Sequence, residues 1–492
     1  MIAKHLPVLL VIGPLLTSLV VMLLPRRPMV SWTMTVAVTT SVLVGSLALL
    51  RRVLREGTQL YELGGWTPPM GIGYRVDELN ALFLVLVSGV AAVVTWQGKW
   101  SLLPTLDLEK VHLFYSVYLL CLTGLLGIVI TGDAFNVYVL LEVSSLSTYA
   151  LVAMGPHRRA RLAGFNYLIL GSLGATFVLL GLGYLHVMTG TLDMVEMSQR
   201  LAPLADSTAV RAGIAFLVVG FLLKGAVFPL HAWLPDAYCE APTGVAAMLS
   251  GTATKVGLYA LARFLYCVLG IELSFSALPI DELLLLASAA AMILGSWMAL
   301  RQTDLKRLLA YSSVAQVGYI TLGLGLVDQA GLVGSLAHAL HHGVVKAGLF
   351  LTVAALAFRL GSTELSSLRG LSRRMPVTSG LLLVGLLGLV GMPLTTGFLS
   401  KLYLARSLFA TDRILFLVPM ALGSLLAAAY AWRVIRPVFF DRVEDGPDRE
   451  EASAGLLVPA AVLLSTSLVF GLWPTPFLTA VQAAADRLLA GF

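Results

Sequence analysis

Charge is scarce in this chain. Lys, Arg, Asp and Glu make up 12% of its 492 residues, where a soluble domain carries roughly 25%. Cysteine is scarcer: Cys121, Cys239 and Cys267 share no metal or redox spacing, which argues against a disulfide framework and a zinc site. There is no glycine-rich nucleotide fingerprint, no haem-attachment motif and no iron–sulfur cysteine run. The chain therefore shows no catalytic centre of its own, and neither a cofactor nor a resident metal is expected. No polar stretch is long enough to form a separate soluble domain.

What the sequence holds instead is apolar: 58% of residues are hydrophobic and the mean hydropathy is +0.88. Runs of about 20 such residues can span the hydrocarbon core as helices. Barrel strands would need only about 10 alternating residues, and these runs are continuous. The first run, Leu6 to Leu24, is longer than a signal-peptide core of roughly 7–15 residues. It is followed by Pro25-Arg26-Arg27-Pro28, not by a small-residue cleavage pattern. The expected fold class is an all-α polytopic membrane protein with about 14 spans, near 6–24, 30–50, 78–97, 111–131, 134–154, 163–187, 211–231, 241–268, 282–300, 308–327, 332–359, 377–405, 413–434 and 455–473. The stretch 51–77, with Gly64-Gly65 and Pro68-Pro69, reads as a loop, and acidic Asp441 to Glu451 as a solvated linker.

The basic residues set an expected orientation. Odd-numbered connections carry 18 Lys and Arg; even-numbered connections and the two termini carry 11, among them Arg75, Arg263 and Arg487. The positive-inside rule places odd connections in the cytoplasm and both termini outside. The net charge of +6 then reflects cytoplasmic loops and not a nucleic-acid partner. The bilayer itself is the expected surroundings.

Four lysines remain, Lys224, Lys255, Lys346 and Lys401, and all fall inside predicted spans, as does Glu142. A charge at mid-bilayer costs about 2.5–3.5 kcal/mol on insertion scales, so such groups pair, hydrate or titrate. A lysine near a helix end can instead lift its ammonium to the interface, an alternative open for Lys346 and Lys401 more than for Lys224 and Lys255. For Glu142 the alternative is a structural ion pair within the bundle.

In span 11, His338, His342 and Lys346 stack on one helix face at four-residue spacing, with His341 one residue off the stripe. Imidazoles titrate near neutral pH and pass protons between ring nitrogens, so the ladder suits proton hopping through water. No carboxylate or cysteine accompanies the histidines, which argues against a metal site. Span 7 (Lys224-Gly225 through Pro229-Leu-His231 to Pro235-Asp236) and span 12 (Gly391-Met-Pro393 to Gly397 and Lys401) each combine Gly and Pro with a lysine. Paired helix interruptions of this kind mark the ion path of an inverted-repeat transporter; the alternative is a packing kink. Span 8 adds Thr252, Thr254 and Lys255; span 10 adds Tyr311, Ser312, Ser313, Gln316 and Tyr319, read individually as packing groups.

These segments resemble the antiporter-like membrane subunits of Mrp-type multisubunit cation/proton antiporters, respiratory NADH:quinone oxidoreductase and membrane-bound hydrogenases. The match runs through Leu141-Glu142, Lys224, Phe228-Pro-Leu-His231-Ala-Trp-Leu-Pro-Asp236, Glu240-Ala-Pro242-Thr and Gly251-Thr-Ala-Thr-Lys255. It continues with Asp304-Leu-Lys-Arg307-Leu-Leu-Ala-Tyr-Ser-Ser313, His341-His-Gly-Val-Val-Lys346 and Gly391-Met-Pro-Leu-Thr-Thr-Gly-Phe-Leu-Ser-Lys401. The resemblance implies two inverted five-helix repeats, spans 4–8 (111–268) and 9–13 (269–434), with broken helices 7 and 12. Residues 1–110 then hold spans 1–3, and 435–492 the linker and span 14. It implies that Glu142 pairs with Lys224 in the first half-channel, that Lys255 links onward, that His338, His342 and Lys346 carry the proton along the central axis, and that Lys401 serves the second half-channel. His231, Asp236 and His341 would support them. The implied partners are other membrane subunits of a hetero-oligomeric complex in a prokaryotic cytoplasmic membrane, with protons and Na+ as ions. The first reading is the D-type member of a multisubunit monovalent cation (Na+)/proton antiporter. The alternative is a proton-pumping subunit of a complex I-like oxidoreductase or membrane-bound hydrogenase. A stand-alone solute carrier would call for a substrate-shaped polar pocket, and a purely structural role leaves five intramembrane charges unaccounted for.

Overall fold

The computed structural model describes residues 4–104, 106–441 and 450–492. The chain is mostly helical, and eleven of its described helices are long and apolar enough to cross a membrane. In chain order the first third comprises α1 Leu6–Met22, α2 Pro28–Glu56, β1 Gln59–Glu62, β2 Gly73–Val76, α3 Glu78–Ser101, α4 Val111–Ile130, α5 Ala134–Ala153 and α6 Arg158–Thr189. Next come α7 Met194–Leu201, α8 Thr208–Lys224, α9 Trp233–Glu240, α10 Thr243–Gly251, α11 Ala253–Arg263, α12 Ile280–Ala290 and α13 Ser296–Leu300. The last third holds α14 Leu305–Gly325, α15 Gln329–Leu360, α16 Leu371–Arg374, α17 Pro376–Val390, α18 Thr396–Ala410, α19 Leu417–Phe439, α20 Ala454–Leu472 and α21 Thr475–Ala490.

α15 is the axis. Every residue from Gly331 to Leu356 except Val344 is buried, beneath α3, α10, α14, α17, α18, α20 and α21. Small residues permit this: a side chain on Gly343 would meet the Gly251 carbonyl oxygen at 2.8 Å, so α10 and α15 touch backbone to backbone. By contrast α6 turns Leu162, Phe165, Ile169 and Leu173 outward, an apolar face suited to lipid.

Both expected interruptions are present. Helix geometry stops at Lys224 and resumes at Trp233; it stops again at Val390 and resumes at Thr396. A third, unexpected one lies at Thr252 (φ −126°, ψ −59°), between α10 and α11.

The connections fall into two groups by their contacts. Arg26 pairs with Glu109 (2.9 Å), Arg307 with Asp236 (3.2 Å), and Arg359 bonds the Glu451 carbonyl (2.7 Å). These belong to odd-numbered connections. His5 meets the Tyr61 hydroxyl (2.9 Å), Gly132 N–H donates to Gly73 O (2.9 Å), Met194 N–H to Gly132 O (3.0 Å), Arg413 pairs with Glu282 (2.7 Å), and Gln329 bonds Asp486 (2.6 Å). These belong to even-numbered connections and the two chain ends.

Four expectations need correction. The 51–77 segment is not only loop: α2 continues to Glu56, and β1 and β2 pair antiparallel with Gln59 opposite Val76. An extra helix, α21, follows the last expected span and buries Ala480, Val481, Ala484, Ala485 and Leu488. Arg263, assigned to a loop, is buried on α11. Residues 442–449 of the acidic linker, with Arg442 and Arg449, lie outside the described residues, and Glu451 is not simply solvated. Its carboxylate accepts from Val377 N–H (2.7 Å) and the Thr378 hydroxyl (2.5 Å), capping the start of α17.

Candidate functional site

The first break begins at Lys224. The orphan carbonyls that a helix end leaves need partners, and the Trp233 indole N–H supplies one to Leu223 O at 3.0 Å. The Lys224 ammonium turns to α5, donating to Ser145 Oγ (2.7 Å) and the Tyr149 hydroxyl (3.3 Å). Glu142, Ser145 and Tyr149 share one face of α5, so the ammonium sits one turn along from the carboxylate. Glu142 and Lys224 form no ion pair within 4.0 Å, and Glu142 Oε1 is buried without a hydrogen-bond partner among the described residues. Glu142 remains the carboxylate that acts electrostatically on Lys224. A cavity of about 30 Å3, lined by Ser144, Ser145, Thr148 and Lys224, adjoins the lysine, room for a water.

Lys255 follows the Thr252 kink. Its ammonium donates to the Ser250 carbonyl, which the kink frees, and to Thr254 Oγ1 at 3.2 Å. It is wholly buried and within electrostatic range of His338, His342 and Lys346 on α15.

On α15 the three histidines differ. His338 bonds Ser400 Oγ (2.8 Å) and Gln316 Oε1 (2.9 Å). His341 bonds Thr396 Oγ1 (2.7 Å), Gly388 O (3.0 Å) and Ser467 Oγ (3.2 Å), spanning the second break from α17 to α18. His342 lies with its ring 6.3 Å from that of His338, and neither of its nitrogens has a hydrogen-bond partner among the described residues. One turn on, the Lys346 ammonium donates to Leu309 O (2.6 Å) and Ser312 Oγ (2.5 Å) of α14.

Lys401 completes the set. Its ammonium donates to Val390 O (2.9 Å) and Ser424 Oγ (2.9 Å) and lies 4.5 Å from the centroid of the Tyr319 ring. Gly391 takes a left-handed conformation (φ +80°), and a side chain there would press on the Lys401 stem at 3.1 Å. Lys346 is fully buried and Lys401 only 9% exposed. Both are held by protein groups, so neither reaches for the interface.

The supporting residues separate. His341 belongs to the buried array. His231 is half-buried, its Nδ1 without a hydrogen-bond partner among the described residues and its ring 5.1 Å from that of Phe228 inside the first break. Asp236 is half-exposed and paired with Arg307 among the odd connections.

Three features escaped the sequence reading. Ser424 and Tyr430 of α19 face the array; Tyr430 is buried beside Ser312 and Gln316, its hydroxyl making no direct hydrogen bond among the described residues. The polar stripe of α14, read as packing, supplies the partners of Lys346 and His338. An ion pair joins Asp77, the N-cap of α3, to Arg263 at 2.7 Å, both buried, with Arg487 of α21 at 3.7 Å from the same carboxylate. Asp77 and Arg263 are 186 residues apart, and no local pattern announces such a pair.

A family model described as NADH:quinone oxidoreductase/Mrp antiporter, TM, matches residues 131–427. The chain is 39% identical to the N-type subunit of the NADH-quinone oxidoreductase of Desulforudis audaxviator, covering 95% of this chain and 96% of that protein. It is 28% identical to the D-type subunit of the Na+/H+ antiporter of Bacillus subtilis, covering 98% and 96%. Among solved structures it is similar to a chain of the membrane-bound sulfane sulfur reductase, an archaeal respiratory membrane complex (TM-score 0.90, 30% identity, 99% and 98% covered). The Mrp complex from Dietzia sp. contains a chain of the same fold (TM-score 0.91, 24% identity, 99% and 98% covered).

Proposed function

From the premise that the chain belongs to the NADH:quinone oxidoreductase/Mrp antiporter membrane family, we propose that it is the subunit that moves protons through a multisubunit ion-translocating membrane complex. The observation that carries this reading is the buried array itself: four lysines, from Lys224 to Lys401, with His338 and His341, are held by hydroxyls, a side-chain amide and backbone carbonyls inside the bundle, and His342 lies among them. Glu142 and Lys224 would form the adjustable end. When they close, the carboxylate holds the proton on the lysine; when they part, as here, the proton can leave toward Lys255. His338, His342 and Lys346 would carry it along α15, and Lys401 would exchange it with the far side. Groups so coupled titrate together, not with private pKa values. His231, Asp236 and His341 would position the breaks.

The architecture we propose is 14 crossings with inverted repeats over 111–268 and 269–434, odd connections in the cytoplasm and both termini outside. The sorting of loop contacts by odd and even connection supports alternate crossing. Removing Arg263 from the loop count leaves the basic bias stronger.

The finer assignment is the D-type member of a Na+/proton antiporter, supported by the full-length match to the Bacillus subtilis antiporter relative. A second reading, a subunit of a redox-driven complex, is favoured by the 39% identity to the oxidoreductase relative. Purifying the intact assembly and reconstituting it in vesicles separates them. On the first reading an imposed Na+ gradient alone drives a pH change, and the assembly carries no iron. Iron–sulfur absorbance together with pumping only under electron flow would establish the second.

A further inference from the structure

A notch of about 420 Å3 opens on the odd-connection side, between the residues that follow α15 and the end of α19. Ser366 and Arg369 line one wall; Trp432, Arg433, Arg436 and Asp441 line the other. The two walls are fastened together where Gly370 N–H donates to Pro437 O at 2.8 Å. Charge in the notch is unbalanced. Arg369 reaches Asp441 only at 3.8 Å, and the Glu364 carboxylate beside it is engaged by the Ser366 hydroxyl at 3.2 Å. Arg433 and Arg436, one turn apart on α19, make no ion pair or side-chain hydrogen bond among the described residues. A helix C-terminus favours a cation in its last turn, which accounts for Arg436. It does not call for three guanidiniums in one notch.

Depth and surroundings select the ligand. α17 and α18 have 15 residues each, so the break between them lies at mid-span. Ser424 holds Lys401 close to that level. From Ser424 to Arg433 the helix rises ~14 Å, about half of the ~30 Å hydrocarbon core, so the guanidiniums stand at the level of lipid phosphates. On α19, Val418, Leu422, Leu425 and Trp432 recur at helical spacing and all are exposed. This apolar track ends beside the notch, where the exposed rings of Trp432 and Phe440 lie 5.5 Å apart. Aromatic rings gather at headgroup depth. A free anion would use the guanidiniums alone, and an acidic protein segment in water has no use for the track. An anionic phospholipid uses both.

We propose that Arg369, Arg433 and Arg436 bind the phosphate of an anionic phospholipid in the leaflet on the odd-connection side, with its acyl chains along the exposed stripe of α19. Guanidinium forks engage phosphate oxygens two at a time, and basic pockets at the ends of spanning helices recognise such headgroups. The site rests on the chain's spanning the membrane and not on the proposed proton path.

The test uses the full chain in its native complex, in phosphatidylcholine vesicles. These carry a trace of either phosphatidylglycerol or phosphatidylcholine with a diazirine near the acyl carbonyl. The phosphatidylglycerol probe should label residues 365–369 and 432–437 about tenfold more than the other, since each basic residue adds to the pull on an anionic lipid. Arg433→Gln with Arg436→Gln should abolish that preference. Arg433→Lys with Arg436→Lys should keep part of it, because the charge remains while the fork is lost. Both probes should label the outward face of α6 equally in every variant, which also reports folding. Equal labelling of the notch by the two probes would overturn the proposal, as would a preference that survives both glutamines in folded protein. Loss of the preference in excess inorganic phosphate would make this a site for free anions instead. A preference that emerges only when Glu444→Gln, Asp445→Asn and Asp448→Asn are combined would make the segment after Asp441 the occupant. No labelling of the notch by either probe would mean that a neighbouring protein covers it.

Discussion

The ammonium of Lys401 reaches back across a broken helix to the carbonyl oxygen of Val390, 2.9 Å away and the last residue before the break. A helix C-terminus carries partial negative charge and unsatisfied carbonyls, so the two halves of the interrupted helix share one cation. Lys401→Ala should leave the assembled complex intact and abolish ion-driven pH changes in vesicles. Lys401→Arg keeps the charge but effectively cannot release its proton, and should be equally inactive. Normal flux in either assembled variant would assign Lys401 a structural task only.

Glu142 and Lys224 are apart in this conformation, which separates stability from transport. Breaking a closed buried pair costs about 3–5 kcal/mol. Because no contact is lost here, Glu142→Gln should change folded yield little while stopping proton flux, and Glu142→Asp should retain part of it. Glu142→Gln combined with Lys224→Met should fold and remain inactive. Flux close to that of the unsubstituted protein in the double variant would refute switching.

Tyr430 stands beside Ser312, which holds Lys346, and Gln316, which holds His338. Tyr430→Phe removes only the hydroxyl. If it completes the route past the unpartnered His342, flux should fall about tenfold, a little more than one hydrogen bond of ~1 kcal/mol, with melting temperature unchanged. Unchanged flux would leave Tyr430 as packing.

The Asp77–Arg263 pair makes the opposite prediction. Asp77→Asn strands a buried guanidinium and should lower stability by about 3–5 kcal/mol, read as a lower melting temperature and yield. Asp77→Leu with Arg263→Met should recover much of that. A stable single variant would mean that water already reaches the site.

Orientation is tested at Arg159, which is exposed in the first turn of α6, next to the connection from α5. With Cys121, Cys239 and Cys267 replaced, Arg159→Cys should react with an impermeant thiol reagent only from the cytoplasmic side. Labelling from outside would invert the topology.

The breaks at Gly225–Pro229 and Gly391–Pro393 were legible because Gly and Pro disrupt helices whatever surrounds them. The Thr252 kink was not, because Gly251 also reads as a helix-packing residue. The lysines were visible as charges without an aqueous surface, but their acceptors were not. A backbone carbonyl such as Leu309 O looks the same at every position in a sequence. α21 was missed because Pro474 and Pro476 flank its start and its apolar residues cover only one face. Separation in sequence hid the Asp77–Arg263 pair and Tyr430, whose neighbours come from distant helices.

Carbonyl oxygens hold Lys255, Lys346 and Lys401, and a carbonyl has no second charge state. No signal arriving as a proton can loosen those three grips directly. Among the described residues, Lys224 is the one lysine of these four with a carboxylate acting on it. On the proposed proton path the array would be a conduit with one valve: a neighbouring protein that pushes on α5 would command the whole line, and one that binds elsewhere would have to act by bending a helix.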